Sequence, residues 1–439
     1  MKKSIIIIAV IFLGITANAQ KKWTLKECVE YALENNISIK QSELDLKATD
    51  IEALTALGNF LPSFSGSASV SESIGLGFNP ATNQPETVKF LSATGNLNVG
   101  YTVFDGLRNI RQAQRAEISK LANQYRLSRM KDDISLLVAN SYLTVLLNKA
   151  NLEVLKSQND VTKQQIRQTE QLVEVGTLPQ GDLLEIKATD ASEQQSIVNA
   201  ENQIKLSLIS LAQVLLIKDY ENFDIEDEGY GIVDSVSDKP VEEIIQNAKE
   251  NRSEIRIAEQ NVELAKKDVQ ISQGALLPTI SAFLGYNTRF TNADPRDFID
   301  QLYINDGIRY GFSLNVPIFN GWNAKANVKR NKINLERSKF QLEQAELDLE
   351  SNVYQAYVDA KGTLKAYEAA ESALESQELA YEYAKARYDE GLTNAFDFSQ
   401  AKLRYDNSKI NLNRAKYDYI FRLKVLELFF GIPATELKF

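Results

Sequence analysis

The side chains that ordinarily make and break bonds are scarce in this chain. Its 439 residues include no histidine and one cysteine, Cys28, which removes the usual general base, the commonest metal ligand and every Ser/His or Cys/His pairing. No glycine-rich phosphate loop or HExxH pattern is present. Any catalysis would have to come from carboxylates without histidine, so no catalytic residue, cofactor or metal site is expected. The acidic residues that stand out do so by position: Gly176 is followed six residues on by Asp182, and Gly391 by Asp397. Taken alone, glycine closing one helix and aspartate opening the next are explained by capping.

Lys2 and Lys3 precede an apolar run from Ile5 to Ile15 that ends at Ala17, Asn18 and Ala19. That order reads as a signal peptide over 1–19, cleaved before Gln20. A single-span anchor is the rival, but the run is shorter than the ~20 residues a spanning helix needs. Cys28 lies beyond the cleavage point in a helical context, so it reads as a buried small hydrophobe and not as a lipid attachment point. The formal charge of −10 becomes −12 without the two leader lysines. Such a balance argues against a nucleic-acid partner.

Self-comparison shows two copies of one unit. At an offset of 216, Ala32 to Asn36 matches Ala248 to Arg252, Gly58 matches Gly274, and Leu61-Pro62 matches Leu277-Pro278. At 215, Phe104-Asp105-Gly106 matches Phe319-Asn320-Gly321, Tyr142 matches Tyr357, and Asp182 matches Asp397. Repeat one therefore spans 20–217 and repeat two 241–439. Between them, 218–240 holds eight acidic and two basic residues and reads as a solvated acidic connector.

Each repeat has the same order. A helical arm (24–57, breaking near Asn35-Asn36, or 241–273) leads into a β-hairpin (62–104 or 278–319). A long helix follows (107–175 or 322–390), and a return helix (182–217 or 397–430) runs back. Each long segment is 69 residues, with Gly362 the only glycine or proline in either, which predicts helices of roughly 100 Å. Apolar positions such as Ile134, Ala139 and Leu143, or Phe340, Leu347 and Leu349, suit coiled-coil-like packing with one wetted face.

The hairpins exclude an ordinary coiled coil. Ile308, Tyr310, Phe312, Leu314, Val316 and Ile318 alternate strictly with Arg309, Gly311, Ser313, Asn315 and Pro317, the pattern of a strand with one apolar and one polar face. Ile280 to Asn287 alternates more loosely; Leu97 to Val103 and Phe64 to Val70 complete four segments. The polar faces are mostly Ser, Gly, Asn and Thr, which suits a wet lumen, and the apolar faces would meet lipid. Four strands cannot close a spanning barrel, so the chain must oligomerise. A sandwich within a soluble protein is the alternative. The connections 72–92 and 287–307, rich in Asn, Asp, Pro and Gly, read as surface loops.

In the order and spacing of these features nearly all of the mature chain resembles the TolC-like outer-membrane efflux proteins. The resemblance implies an α+β membrane protein, a homotrimer whose four strands per chain form one 12-stranded transmembrane barrel in outer-membrane lipid, continued by a periplasmic barrel of long helices. It further implies a passive exit duct for efflux or type I secretion, opened by a periplasmic adaptor and an inner-membrane transporter. The helix-hairpin turns, Val175, Gly176 and Thr177 with Gly391, Leu392 and Thr393, would be the tip that contacts the adaptor. Asp397 would form an acidic pore constriction. The family's second gate aspartate falls on Gln400, while repeat one carries Glu185 there, so the gate is one ring or one displaced onto Glu185. Tyr388 matches a tyrosine that latches the closed tip to Asp182, but the accompanying arginine is Thr393. A periplasmic coiled-coil structural or adaptor protein is the alternative function.

Overall fold

A computed structural model of the chain describes residues 22–79, 83–227, 229, 231–232, 236 and 239–432. The leader at 1–19 and part of the connector lie outside the described residues. Two units emerge: Leu44–Tyr125 with Arg256–Gln344, and Met1–Glu43 with Arg126–Ile255 and Ala345–Phe439.

The first unit holds a four-stranded antiparallel sheet, whose strands are β2 (Ser63–Asn79), β3 (Gln84–Phe104), β5 (Thr279–Thr291) and β6 (Gly307–Asn315), in that order. Register shows what alternation builds. Tyr310, Leu284, Val99 and Phe64 stand in one cross-strand row, and Ile308, Tyr286, Leu97 and Gly66 in the next. On the other face Arg309, Gly285, Asn98 and Ser65 form a row, as do Asn287, Asn96 and Ser67. Phe283, like Phe90 opposite Ser73, is an apolar exception on the polar face. Its ring lies over Gly311, where an added Cβ would come within 3.2 Å, and the Arg309 guanidinium is 6.0 Å from the ring centroid. The apolar face is uncovered away from Thr288 and Phe290: Tyr310 is 80% and Phe312 78% exposed.

Two expectations for this unit are corrected. The connection at 72–92 is not a loop, because β2 and β3 stay paired from Ser63↔Gly100 to Asn79↔Gln84. That at 287–307 contains a short helix, α7 (Phe298–Ile304). Strand β6 also ends at Asn315, ahead of Pro317, which has no N–H to give a ladder.

Both long helices, α3 (Arg108–Glu174) and α8 (Asn323–Asp389), have 67 residues. Their entries share one device. Gly106 and Leu107, like Gly321 and Trp322, have positive φ between 65° and 74°. The preceding side chain then caps the helix: Asp105 Oδ2 accepts the Asn109 N–H at 2.8 Å, and Asn320 Oδ1 the Ala324 N–H at 3.4 Å. A Phe-Asp/Asn-Gly tripeptide suits this turn because glycine adopts φ > 0 freely and the following side chain tolerates it only singly.

The second unit has its core where α1 (Leu25–Asn35) meets the middle of α3 and the end of α4 (Gln180–Leu215). Tyr142 is fully buried there. Its hydroxyl lies 2.5 Å from Glu226 O and 3.2 Å from Trp23 O, beside a two-stranded parallel pair, β1 (Lys22–Trp23) and β4 (Asp224–Ile225). The connector is therefore not simply solvated, since Phe223, Ile225 and Val236 are buried. Cys28 is buried and unbonded to sulfur.

The first arm breaks at Asn36, between α1 and α2 (Ile37–Gly58). Its side chain donates to Val214 O and accepts the Ser38 N–H. The second arm, read as continuous, also breaks, between α5 (Val241–Asn251) and α6 (Ser253–Gly274). Arg252 occupies the break, 8% exposed and paired with Glu254 at 2.8 Å. Gly362 leaves α8 unbroken.

Candidate functional site

The candidate site is where α3 turns into α4 and α8 into α9 (Ala395–Phe430). The two turns close their first helix identically. Thr177 N–H bonds to Leu172 O and Gly176 N–H to Val173 O; Leu392 N–H bonds to Arg387 O and Gly391 N–H to Tyr388 O. With Gly176 at φ +76° and Gly391 at φ +70°, each is a Schellman cap. Val175, Gly176, Thr177, Gly391 and Leu392 are exposed at these turns, and Thr393 partly so.

The return helices begin differently from the simple capping expectation. Asp182 and Asp397 are not the capping residues: Pro179 and Asn394 are, each three residues earlier. Asn394 Oδ1 accepts the Asp397 N–H at 2.8 Å, and Thr393 Oγ1 donates to Asp397 Oδ2 at 3.3 Å. Asp397 is exposed, so its charge is free to act on solvent ions as well as on the helix dipole.

Tyr388 does not reach Asp182 by any hydrogen bond among the described residues. Its hydroxyl is 3.1 Å from Thr169 Oγ1 on α3, and its ring stacks on Phe398 at 5.0 Å. The stack continues through Phe398–Tyr381 at 5.8 Å and Tyr381–Tyr405 at 5.0 Å, with Lys409 over the Tyr405 ring and the Tyr405 hydroxyl donating to Glu378. Each such ring pair is worth about 0.5–1.5 kcal/mol beyond its area. The ladder zips α8 to α9 directly behind the tip.

Glu185 and Gln400 come together on a groove of about 350 Å³, whose walls also include Ile186, Glu193, Phe396 and Lys402. Behind it lies a buried polar centre that sequence reasoning missed. Lys402 Nζ donates to Gln158 O at 2.7 Å and Glu193 Oε1 at 2.9 Å, and also to Thr162 Oγ1. Asn159 donates to Glu193 Oε2 and to Asp190 Oδ1. One ammonium thus ties α9 to both helices of the first hairpin. Among the described residues, no group of three or more His, Cys, Asp or Glu is placed to hold a metal ion.

One helical turn beyond Lys402, Asp406 is buried with Oδ2 unbonded. Burial pushes its carboxyl up to about 6, against the pull of Lys402 and Lys409 and with the repulsion of Glu193. Because the folded value lies above the unfolded one, the stability linked to this group is full below pH ~4 and lost as pH rises through about 6. Asp406→Asn is expected to remove that dependence. Thermal unfolding of the variant between about pH 3 and pH 8 should gain up to about 3 kcal/mol at the alkaline end and almost nothing at the acid end; equal gains at both would show that ionisation is not the cause.

An incomplete sheet with a bare apolar face, joined to two long helical hairpins with capped tips, defines the class of helix-extended outer-membrane channel protomers. The chain belongs to the outer membrane efflux protein family, whose profile matches residues 28–215 and 244–431, one match per repeat. It is 25% identical over 294 residues to the outer membrane protein TolC of Vibrio cholerae, a match covering 66% of this chain and 65% of that protein, just under two thirds of its length. Nodulation protein T of Rhizobium leguminosarum is 22% identical over 406 residues, 89% of this chain and 78% of that one. In fold the chain is similar to the Campylobacter jejuni CmeC outer membrane channel, with a TM-score of 0.80, 19% identity and coverage of 94% and 86% of the two chains. No described helix is long and apolar enough to span a bilayer.

Proposed function

We propose that the protein is the outer-membrane exit duct of a tripartite efflux or type I secretion assembly, a passive homotrimeric conduit. A cleaved leader over 1–19 would export it, and its helices would reach into the periplasm toward an adaptor and an inner-membrane transporter. The observation that carries this reading is the sheet, with an apolar face open to lipid and unpaired edges at β2 and β6. Lipid tolerates no such edge, so copies must close it. Strand directions alternate through β2, β3, β5 and β6, so β6 of one copy meets β2 of the next antiparallel.

The repeat supports that closure at atomic detail. Within the chain, β3 adjoins β5, and Gly106 and Gly274 touch so closely that a Cβ on either would fall within 2.6 Å of the other's carbonyl oxygen. Their repeat counterparts are Gly321 and Gly58, which in one copy face open space or one distant side chain. Closing β6 on the neighbour's β2 would bring these two glycines into the same contact. Arg115 pairs with Asp268 at 2.7 Å; the counterparts Arg330 and Glu52 would pair across copies. The helices joined to the two edge strands also carry bare apolar stripes: Leu44, Ile51 and Leu54 on α2, and Ile333, Phe340, Leu347 and Tyr354, seven apart, on α8. Such stripes suit a coiled-coil seam between copies.

At the tip, three exposed Asp397 carboxylates would repel one another and draw cations, making a selective constriction. Glu185 and Gln400, on the neighbouring groove, would set its second layer, and Tyr388 and Asp182 the closure of the tip. The exposed turns at Val175, Gly176, Thr177, Gly391, Leu392 and Thr393 would receive the adaptor. Planar-bilayer recording tests duct and gate together: the purified protein is expected to conduct as discrete single channels, with higher conductance and weaker cation preference in Asp397→Ala. Absence of channels would overturn the duct, and channels unaltered by the substitution would remove Asp397 from the gate.

A further inference from the structure

The hairpin between β5 and β6 carries a feature that the duct does not use. The chain leaves β5 at Thr291 and folds back as α7 on the side of β5 that bears its apolar row. Tyr286, Thr288 and Phe290 share the face of Leu284, since Thr288 is paired with Gly95 and Phe290 with Ala93, on the same side as Leu97. Thr288 Oγ1 donates to Leu302 O at 2.7 Å, and Phe298 packs edge-on against Phe290 at 5.0 Å.

This is a built element and not a loose loop. Gln301 is fully buried, accepts the Thr291 N–H, and donates to Asp294 O and Arg296 O. Asn305 closes the other end by donating to Arg289 O. With Gln301 turned inward, the outward side chains are mostly apolar: Ile299 is 59% exposed, Tyr303 77% and Ile304 57%, with Asp300 the exposed charge among them. A solvated extracellular loop has no use for such a surface.

We propose that α7 is an interfacial anchor that lies in the outer leaflet of the bilayer, with Ile299 and Tyr303 at the boundary of headgroups and acyl chains. The inference rests on the reading that the apolar face of the sheet meets lipid. Three observations select lipid over a second copy as the occupant. The helix sits on β5, an inner strand flanked by β3 and β6, away from the edges where copies would meet. It lies at the end of the sheet opposite the long helices, because β3 and β6 run directly into those helices while α7 joins the far ends of β5 and β6. Its bare surface also continues the apolar column that starts at Ile308 and Tyr310. A tyrosine above aliphatic residues is the pairing the bilayer interface favours, with an apolar ring body and a hydroxyl for the wet side.

Spin-label accessibility in the full-length protein tests this. Tyr303→Cys, Phe312→Cys and Ser313→Cys are labelled separately, the buried Cys28 serving as an unreactive background, and reconstituted into phosphatidylcholine–phosphatidylglycerol vesicles. Collisions with oxygen and with a water-soluble nickel chelate are then compared. The expected oxygen-to-nickel ratio is highest at 312, lowest at 313 and, at 303, several-fold above that at 313. A water-like ratio at 303 with a lipid-like one at 312 would overturn the anchor and leave the barrel standing. A label at 303 shielded from both reagents would mean that protein covers α7, and would also overturn it. A water-like ratio at 312 would sink the lipid-face reading itself.

Discussion

Gly106→Ala should yield no assembled protein at all. Gly106 has φ +74°, and a methyl group there would lie 2.2 Å from Gly274 O and 3.0 Å from the Leu277 Cβ. The obstacle is backbone, joined to the start of β5 on one side and to α6 on the other, so it cannot swing aside as a side chain would. Strain at positive φ adds about 1 kcal/mol to the clash, and the total belongs with the exceptional substitutions that cost more than 4–5 kcal/mol. The contrast is Gly58→Ala. A Cβ at Gly58 meets nothing within 4 Å in one copy, so the protomer should fold normally. In the closed ring the same methyl group would face Gly321 of the next copy, and the oligomer should weaken. Heat-resistant oligomer on unboiled gels and circular dichroism in detergent measure the two effects separately. Gly106→Ala is expected to lose both signals, and Gly58→Ala only the first. Normal oligomer in Gly106→Ala would show that the close approach of the glycines is not required.

Lys402→Met is the second large effect. Lys402 and Glu193 are 5% and 9% exposed in their side chains, and the pair joins α9 to the first hairpin. Deleting the cation leaves Glu193 buried with only Asn159 donating to it, a loss of about 3–5 kcal/mol for an uncompensated buried charge. The double variant Lys402→Met/Glu193→Gln carries no buried charge and should recover most of that loss. Amide exchange of 158–165 and 399–406 reports it locally. Protection should fall by two or more orders of magnitude in the single variant and return in the double one. Equal exchange in wild type and single variant would show that the pair does not hold the tip. Because the tie runs between the two hairpins, the single variant should also open more often in bilayer recordings.

How much of this was legible beforehand depends on the kind of signal each feature leaves. Strand faces follow from alternation, which one residue type at a time can reveal. Phe283 broke the pattern only because Gly311 leaves space for its ring, a fact of cross-strand register. The break at Arg252 is silent in composition, since arginine is a good helix former. It was nonetheless visible in the repeat, where Arg252 stands at the position of Asn36. The aromatic ladder also had a signal: Tyr381 and Tyr388, like Phe398 and Tyr405, are seven apart on facing helices.

Other features left no such trace. The long β2–β3 hairpin was hidden by polar residues such as Glu72 and Lys89, which are unremarkable in a loop and equally at home in strands beyond the lipid. The acidic connector hid Phe223 and Ile225, whose burial depends on Tyr142 some eighty residues away. Lys402 and Glu193 are ordinary surface residue types until three helices close over them. The family's acidic tip pattern pointed to Asp397, Glu185 and Gln400, and the structure sets the last two on one groove. It gave no hint of the ion pair behind them.

Closure of β6 on the β2 of the next copy is the claim on which duct, oligomer and lipid face all depend. The β3–β5 register, carried over by the repeat offsets, maps the Asn98–Gly285 pair onto Ser313 of one copy opposite Ser69 of the next, both on the polar face. Oxidation of Ser69→Cys/Ser313→Cys in membranes is therefore expected to give a covalent ladder of dimer and trimer on denaturing gels that stops at the trimer, with neither single variant cross-linking. Monomer alone from the double variant, in membranes where the protein is present and folded, would contradict the account.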